Sequence, residues 1–311
     1  MTEMRSGAAG GLYSQYRTAL PRVSSHLISS KFVAQDFRID VMLPITRAGD
    51  PRSFPVIYAT DGNLTFDVLK GMSLCLQAAG DEVHPFILVA IGYPSDLPFS
   101  GDVLRMRDLS FPGCPAYVDR ERALNAHPGI LEPKGGSPQF HGGPAFQRFI
   151  RHELMPFIDH HFPSCGSRRG YFGHSLGGGF GLFTLFTDTT LFSDYLISSP
   201  TVSYDGVDAE GTLHDHDAFM LPYAQDANRR QEKISGLNMY MSVGEREDLE
   251  EPIRKWEFVS GFRKLTGYLN DANFPNNRIA AEIIENERHS TVWPIAYVRG
   301  VRSFFGRDQR A

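Results

Sequence analysis

Three cysteines in 311 residues, Cys75, Cys114 and Cys165, are too few and too scattered for a disulfide framework. Their odd number points to free thiols in a reducing setting. No apolar run approaches the ~20 residues that would span a bilayer. Met1 to Gly11 is small and polar, with no apolar leader core. The expectation is therefore a cytoplasmic protein with no membrane partner, a periplasmic one being left open for a chain whose leader has been removed. Positive charge is also scarce: 31 Lys and Arg against 36 Asp and Glu give a net charge of −5, which argues against a nucleic-acid surface. There is no P-loop, no G-x-G-x-x-G after a strand, no internal repeat and no low-complexity tract, so no cofactor is expected. The metal-like letters His214-Asp215-His216-Asp217 lie in a polar stretch where no third ligand presents itself, and no metal is expected.

What remains suits a soluble enzyme. Hydrophobic residues make up 41% of the chain, enough for a large core, and α/β domains commonly run to this length as one unit, so residues 1–311 read as a single domain. Phe37, Ile39, Val41 and Leu43 alternate with polar residues, as in an antiparallel strand, and Ser24–Ile28 is its expected partner. Val56–Thr60 and Phe86–Gly92 are continuous apolar runs, as in parallel strands covered on both faces. Tyr171–His174, Tyr195–Ser199, Met239–Val243 and Ile279–Ile284 bring the total to about eight. Helical spacing runs from Pro144 to His161, with a kink expected at Pro156.

The most informative segment is Gly173-His174-Ser175-Leu176-Gly177, which fits G-x-S-x-G. A strand before it and an apolar helix after it (Phe180, Leu182, Phe183, Leu185, Phe186) supply the context of a nucleophile elbow. Such a turn pushes a serine out of the sheet, and its glycines remove side chains that would collide. The helix that follows aims its N–H groups at a developing oxyanion. Ser175 is the expected nucleophile.

A serine needs a base and an orienting acid, and in α/β-hydrolases they follow in the order Ser, Asp/Glu, His. His289 lies just past the strand Ile279–Ile284 and is the expected base. The strand Leu237–Val243 runs into a loop crowded with carboxylates, most of them solvated charge. Glu247 is the first choice for the acid and Asp248 the second. The expected oxyanion donors are the backbone N–H of Leu176 and that of Asn63 or Gly62, in the turn after the third strand. His141-Gly142-Gly143 imitates a lipase oxyanion loop, but its position before a helix reads as a helix-start turn.

Residues 93–143 are rich in Pro and Gly and have no clean period, which reads as a cap-like insertion over the site. Tyr93, Phe99, Phe111 and Tyr117 are candidate aromatic walls. Arg105 and Arg107 are candidate substrate contacts, with pairing to Asp102 and Asp108 as the alternative, and His174 is a further contact candidate beside the nucleophile. Five basic against six acidic residues leave the insertion without a positive funnel.

These pieces together resemble one family. The chain is similar, over about residues 24–305, to the esterase family of α/β-hydrolases, in the branch holding the enterobactin and salmochelin esterases. The resemblance rests on Asp61-Gly62-Asn63 after a strand, Ile91-Gly92-Tyr93-Pro94 followed by Arg105-Met106-Arg107-Asp108-Leu109, and Gly142-Gly143-Pro144-Ala145-Phe146 opening a helix. It also rests on the elbow and on His289-Ser290-Thr291-Val292-Trp293-Pro294. It implies an α/β-hydrolase fold with a mostly parallel, about eight-stranded sheet flanked by helices. It also implies Ser175 as nucleophile and His289 as base. Some members of that branch work as a Ser-His dyad, which leaves Glu247 open. The implied function is a serine esterase acting through an acyl-enzyme on a small-molecule ester, a ferric catecholate siderophore lactone being favoured. The alternatives are a feruloyl or acetyl carbohydrate esterase, an acyltransferase, and, outside enzymes, a non-catalytic binding protein on the same fold.

Overall fold

A computed structural model describes residues 22–45, 52–79, 82–94, 100–115, 140–208, 211–230, 238–251, 253–272 and 278–307. Strands β1 (Val23–Ser30) and β2 (Gln35–Met42) pair antiparallel, Val23 opposite Met42 and Ser30 opposite Gln35. Strand β3 (Phe54–Ala59) leads into helix α1 (Gly62–Leu74), and β4 (Ile87–Gly92) is buried along its whole length. Then come α2 (Ser100–Leu109), α3 (Gly143–Phe149), α4 (Met155–His161), β5 (Ser164–His174) and α5 (Leu176–Thr187). Strand β6 (Asp194–Ser198) is followed by a small hairpin of β7 (Tyr204–Val207) and β8 (Leu213–Asp217), and by α6 (Leu221–Arg229). Strand β9 (Asn238–Gly244), α7 (Phe258–Asp271), β10 (Arg278–Ile284) and α8 (His289–Phe305) complete the order.

The main sheet runs β1-β2-β4-β3-β5-β6-β9-β10. Strand β2 is antiparallel to both neighbours, and the pairs from β4 to β10 are parallel. That order, with the second strand reversed, is the α/β-hydrolase arrangement. Side chains of a strand alternate between faces, and β3 makes the division plain. Val56 and Tyr58 join one buried cluster with Phe146, Phe180 and Phe262, from α3, α5 and α7. Ile57 and Ala59 join the other with Phe66, Leu69, Trp293 and Tyr297, from α1 and α8. Helices thus cover both faces, and the carboxyl ends of the parallel strands are left to carry chemistry.

Three features depart from the sequence-based expectation. At Pro156 the helix widens into a π turn, Ile150–Leu154, before α4. Proline lacks an N–H, and its ring crowds the carbonyl four residues back, so a wider turn accommodates it. The hairpin β7–β8 was not expected, because His214-Asp215-His216-Asp217 is too polar to show a strand's alternation. Within the stretch 93–143, α2 runs from Ser100 to Leu109, and Leu104, Met106, Leu109, Phe111 and Cys114 are buried in the main core. The irregular composition hid a core segment there. Phe99 and Tyr117 lie outside the described residues. His141-Gly142-Gly143 does start a helix: the Gly142 and Gly143 N–H groups donate to the carbonyls of Arg107 and Ser110, both at 2.8 Å.

Candidate active site

Strand β5 ends at His174, and α5 begins at Leu176. Between them Ser175 has φ 59 and ψ −122, a conformation that side chains seldom accept. Its N–H donates to Ser198 O at 2.9 Å, and its carbonyl accepts from Gly179 N–H at 3.0 Å and Thr201 N–H at 3.1 Å. The flanking glycines are sterically required. A Cβ on Gly173 would lie 2.3 Å from Gly177 O, and one on Gly177 would lie 2.4 Å from Thr60 Oγ1. Tyr171 Oη closes the turn from below by donating to Gly177 O at 2.6 Å.

His289 is the first residue of α8, three positions past the turn that follows β10. Its Nδ1 lies 2.6 Å from Glu247 Oε2. Against a carboxylate Nδ1 carries the proton, which leaves the Nε2 lone pair free. Glu247 is fully buried and takes two further donors on Oε1, Gly244 N–H and Ser199 Oγ, each at 2.6 Å. The backbone N–H of His289 donates to Glu250 Oε1 at 3.0 Å. Two rings enclose the imidazole, His174 with centroids 4.4 Å apart and Phe258 at 4.3 Å.

Asp248, the second choice for the acid, does other work. Its carboxylate accepts from Val259 N–H at 2.8 Å, Ser260 N–H at 3.0 Å and Ser260 Oγ at 2.6 Å. It caps the first turn of α7, where those N–H groups have no helical partner.

The turn after β3 approaches the elbow through the Thr60–Gly177 contact. Asp61 sits in the left-handed region, φ 58 and ψ 35, and the bond from Leu64 N–H to Asp61 O at 2.9 Å opens α1. The Gly62 and Asn63 N–H groups precede that first bond, so the helix leaves them without an internal partner. With Leu176 N–H at the start of α5, two helix N-termini meet beside Ser175, which favours negative charge there. The Asn63 side chain is occupied elsewhere: Oδ1 accepts from Tyr93 N–H at 2.6 Å and Nδ2 donates to Tyr93 O at 2.9 Å.

The expected substrate contacts are placed differently from one another. Arg105 grips Asp61, in the turn after β3, with two bonds at 2.7 and 3.1 Å. Arg107 grips the fully buried Asp108, its neighbour in α2, at 2.7 and 2.9 Å. Tyr93 is buried against Phe37, with its hydroxyl on Asp108 at 3.0 Å, so it lines the core and not an open wall. Phe111 is likewise fully buried. His174 faces His289, with Nδ1 3.2 Å from Ser198 Oγ. Desolvation, then the neighbouring His289 and Arg105, hold it well below the usual imidazole range, so it stays neutral.

One mutation follows directly. Arg105 steadies the turn that carries the Gly62 and Asn63 N–H groups; with one of these as an oxyanion donor, Arg105→Ala is expected to lower kcat roughly tenfold to a hundredfold even on p-nitrophenyl acetate. Steady-state kinetics decide it, and full activity on that small ester would return Arg105 to a role in substrate contact alone.

The tract His214–Asp217 is also placed differently from expectation. Asp205, from β7, comes to Asp215 and His216, with one ligand atom of each within 4.8 Å of the others. This is the third donor that the sequence did not bring to them. The group is half-buried to exposed, and His216 is hydrogen-bonded to Glu257 at 2.5 Å. His214 turns away to Asp208 and Asp217. Among the described residues, no helix is long and apolar enough to cross a membrane.

Sequence reasoning missed Asp61 as an anchor and the two β6 hydroxyls, Ser198 and Ser199. The short Ser198-Ser199-Pro200 signal at a strand end resembles any loop.

The Esterase family model matches residues 128–280, which include the elbow, Glu247 and strands β5, β6 and β9, and end before His289. Over that stretch, just under half of its length, the chain is similar to the esterase family. It is 30% identical over 190 residues to the ferri-bacillibactin esterase BesA of Bacillus subtilis, covering 60% of this chain and 61% of that protein. It is 33% identical over 175 residues to the siderophore enterobactin esterase of Emericella nidulans, covering 53% and 54%. The chain thus spans between half and two thirds of the length of these curated relatives. Among solved structures, the BES protein of Bacillus cereus superposes with a TM-score of 0.68 at 25% identity, covering 90% of this chain and 93% of that one.

Proposed function

We propose that this protein is a serine esterase that hydrolyses siderophore-type esters through an acyl-enzyme. The observation that carries the proposal is the 2.6 Å contact between buried Glu247 and His289 Nδ1, at strand ends next to Ser175 on its strained turn. In this reading His289 Nε2 takes the Ser175 proton as Oγ bonds to the ester carbonyl carbon. The carbonyl oxygen gains charge and rests on the N–H groups of Leu176 and of Asn63 or Gly62. His289 then gives its proton to the leaving alkoxide as the C–O bond breaks. A water repeats the sequence on the acyl-enzyme: His289 takes its proton, its oxygen attacks, and Ser175 recovers its hydrogen. Glu247 keeps its charge throughout and holds the imidazole in the productive tautomer.

The substrate class is supported by the relatives, which are named for ferri-bacillibactin and enterobactin. The test is hydrolysis of a catecholate trilactone, iron-free and iron-loaded, against p-nitrophenyl acetate and a feruloyl sugar. The proposal expects a kcat/KM for the trilactone well above that for the acetate. Brisk cleavage of the feruloyl sugar with an intact trilactone would move the function to a carbohydrate esterase.

A further inference from the structure

Strand β6 ends in Ser198, and Ser199 follows it; both are fully buried. A buried hydroxyl needs a partner. Ser199 Oγ donates to Glu247 Oε1 at 2.6 Å, on the carboxylate oxygen opposite the one that meets His289. The Ser199 backbone lies at φ 40, in the left-handed region. A residue other than glycine adopts that conformation at a cost and persists there when its surroundings require it. Its N–H donates to Ser242 O at 2.7 Å, which ties it to β9, the strand that leads to Glu247.

A carboxylate can swing about the bond to its last methylene. One fixed partner on each oxygen sets its plane. Gly244 N–H also holds Oε1, but it lies only three residues from Glu247 in the same loop. Ser199 directly follows another strand, β6, and so refers Glu247 to the sheet. Ser175 N–H bonds to Ser198 O, the neighbouring residue. The same short β6 terminus therefore touches the nucleophile's backbone and the acid's side chain.

We propose that Ser199 is a positioning residue: it sets the plane of the Glu247 carboxylate and, through it, the aim of His289. The inference rests on the serine-esterase reading. Ser199→Gly is the informative variant, because it removes the hydroxyl while glycine accepts φ 40 without strain. With p-nitrophenyl butyrate, kcat falls roughly tenfold and KM stays unchanged, as for one lost charge-assisted contact made only through the base. The low-field proton resonance of the His289 Nδ1–H to Glu247 bond shifts in the same variant, while its melting temperature stays near that of the parent. A merely structural serine would move the melting temperature and leave the resonance alone. Ser199→Ala shows the same loss in kcat. A folded Ser199→Gly protein with full kcat and an unmoved resonance overturns the positioning role. Fluorophosphonate labelling of the unmodified protein separates the two levels: with Ser175 labelled, such a result rejects Ser199 alone, whereas no label on Ser175 rejects the underlying esterase reading.

Discussion

Ser175→Ala retains the fold and loses turnover by a factor on the order of 10⁴–10⁶. The bonds that hold residue 175 in place come from its own N–H and carbonyl, to Ser198, Gly179 and Thr201, and alanine keeps them. Alanine at φ 59 is no more strained than serine there. What disappears is the oxygen that, in the proposed mechanism, forms the acyl-enzyme. A fluorophosphonate should accordingly label Ser175 and no other residue, since only an activated hydroxyl reacts quickly. Peptide mass spectrometry and a p-nitrophenyl ester assay check both statements. A label on another serine, or parent-like turnover in the alanine variant, would remove Ser175 from the mechanism.

Glu247→Gln should cost on the order of 10²–10⁴ in kcat, although it changes only an oxygen for an amide nitrogen. Three donors converge on Glu247: Gly244 N–H, Ser199 Oγ and His289 Nδ1. A carboxylate accepts all three. An amide accepts on one oxygen only, so its NH2 must face either the Gly244 and Ser199 donors or His289. Facing His289, it takes the Nδ1 lone pair and drives the proton to Nε2, where the imidazole can no longer serve as a base. Asp248→Ala makes the contrast. It should leave kcat close to that of the parent and lower stability by about 1 kcal/mol, the usual cost of losing a helix N-terminal cap. Kinetics and urea unfolding on both variants decide it; an unchanged rate in Glu247→Gln would instead favour a Ser-His dyad.

The contrast between those neighbours also marks where the sequence stops being legible. The elbow was readable because its chemistry is local: glycine, strand, turn and helix lie within a few residues. Strands β3 and β4 were readable because burial on both faces leaves continuous apolar runs, and β2 because apolar and polar residues alternate along it. Glu247 and Asp248 could only be ranked, since both follow one strand in one acidic loop. Their separation depends on partners 42 and 11 residues away, His289 and Val259. The pairing of Arg105 with Asp61 was out of reach for the same reason: the two lie 44 residues apart. Tyr93 and Phe111 looked like cap walls because proline and glycine around them mask the periodicity of α2. The β7–β8 hairpin was hidden by its own polarity, as was the approach of Asp205 to His216.

Phe258 opens α7 and is one of the two rings that enclose His289. A helix's first turn loosens on warming before a central sheet lets go. When it does, the imidazole loses a wall and gains freedom to swing, although the rest of the molecule is still intact. Heat inactivation should therefore run ahead of the cooperative melt, leaving a range of temperatures in which the protein is folded and idle. An occupant of the cleft that pressed on His289 from the open side would narrow that range.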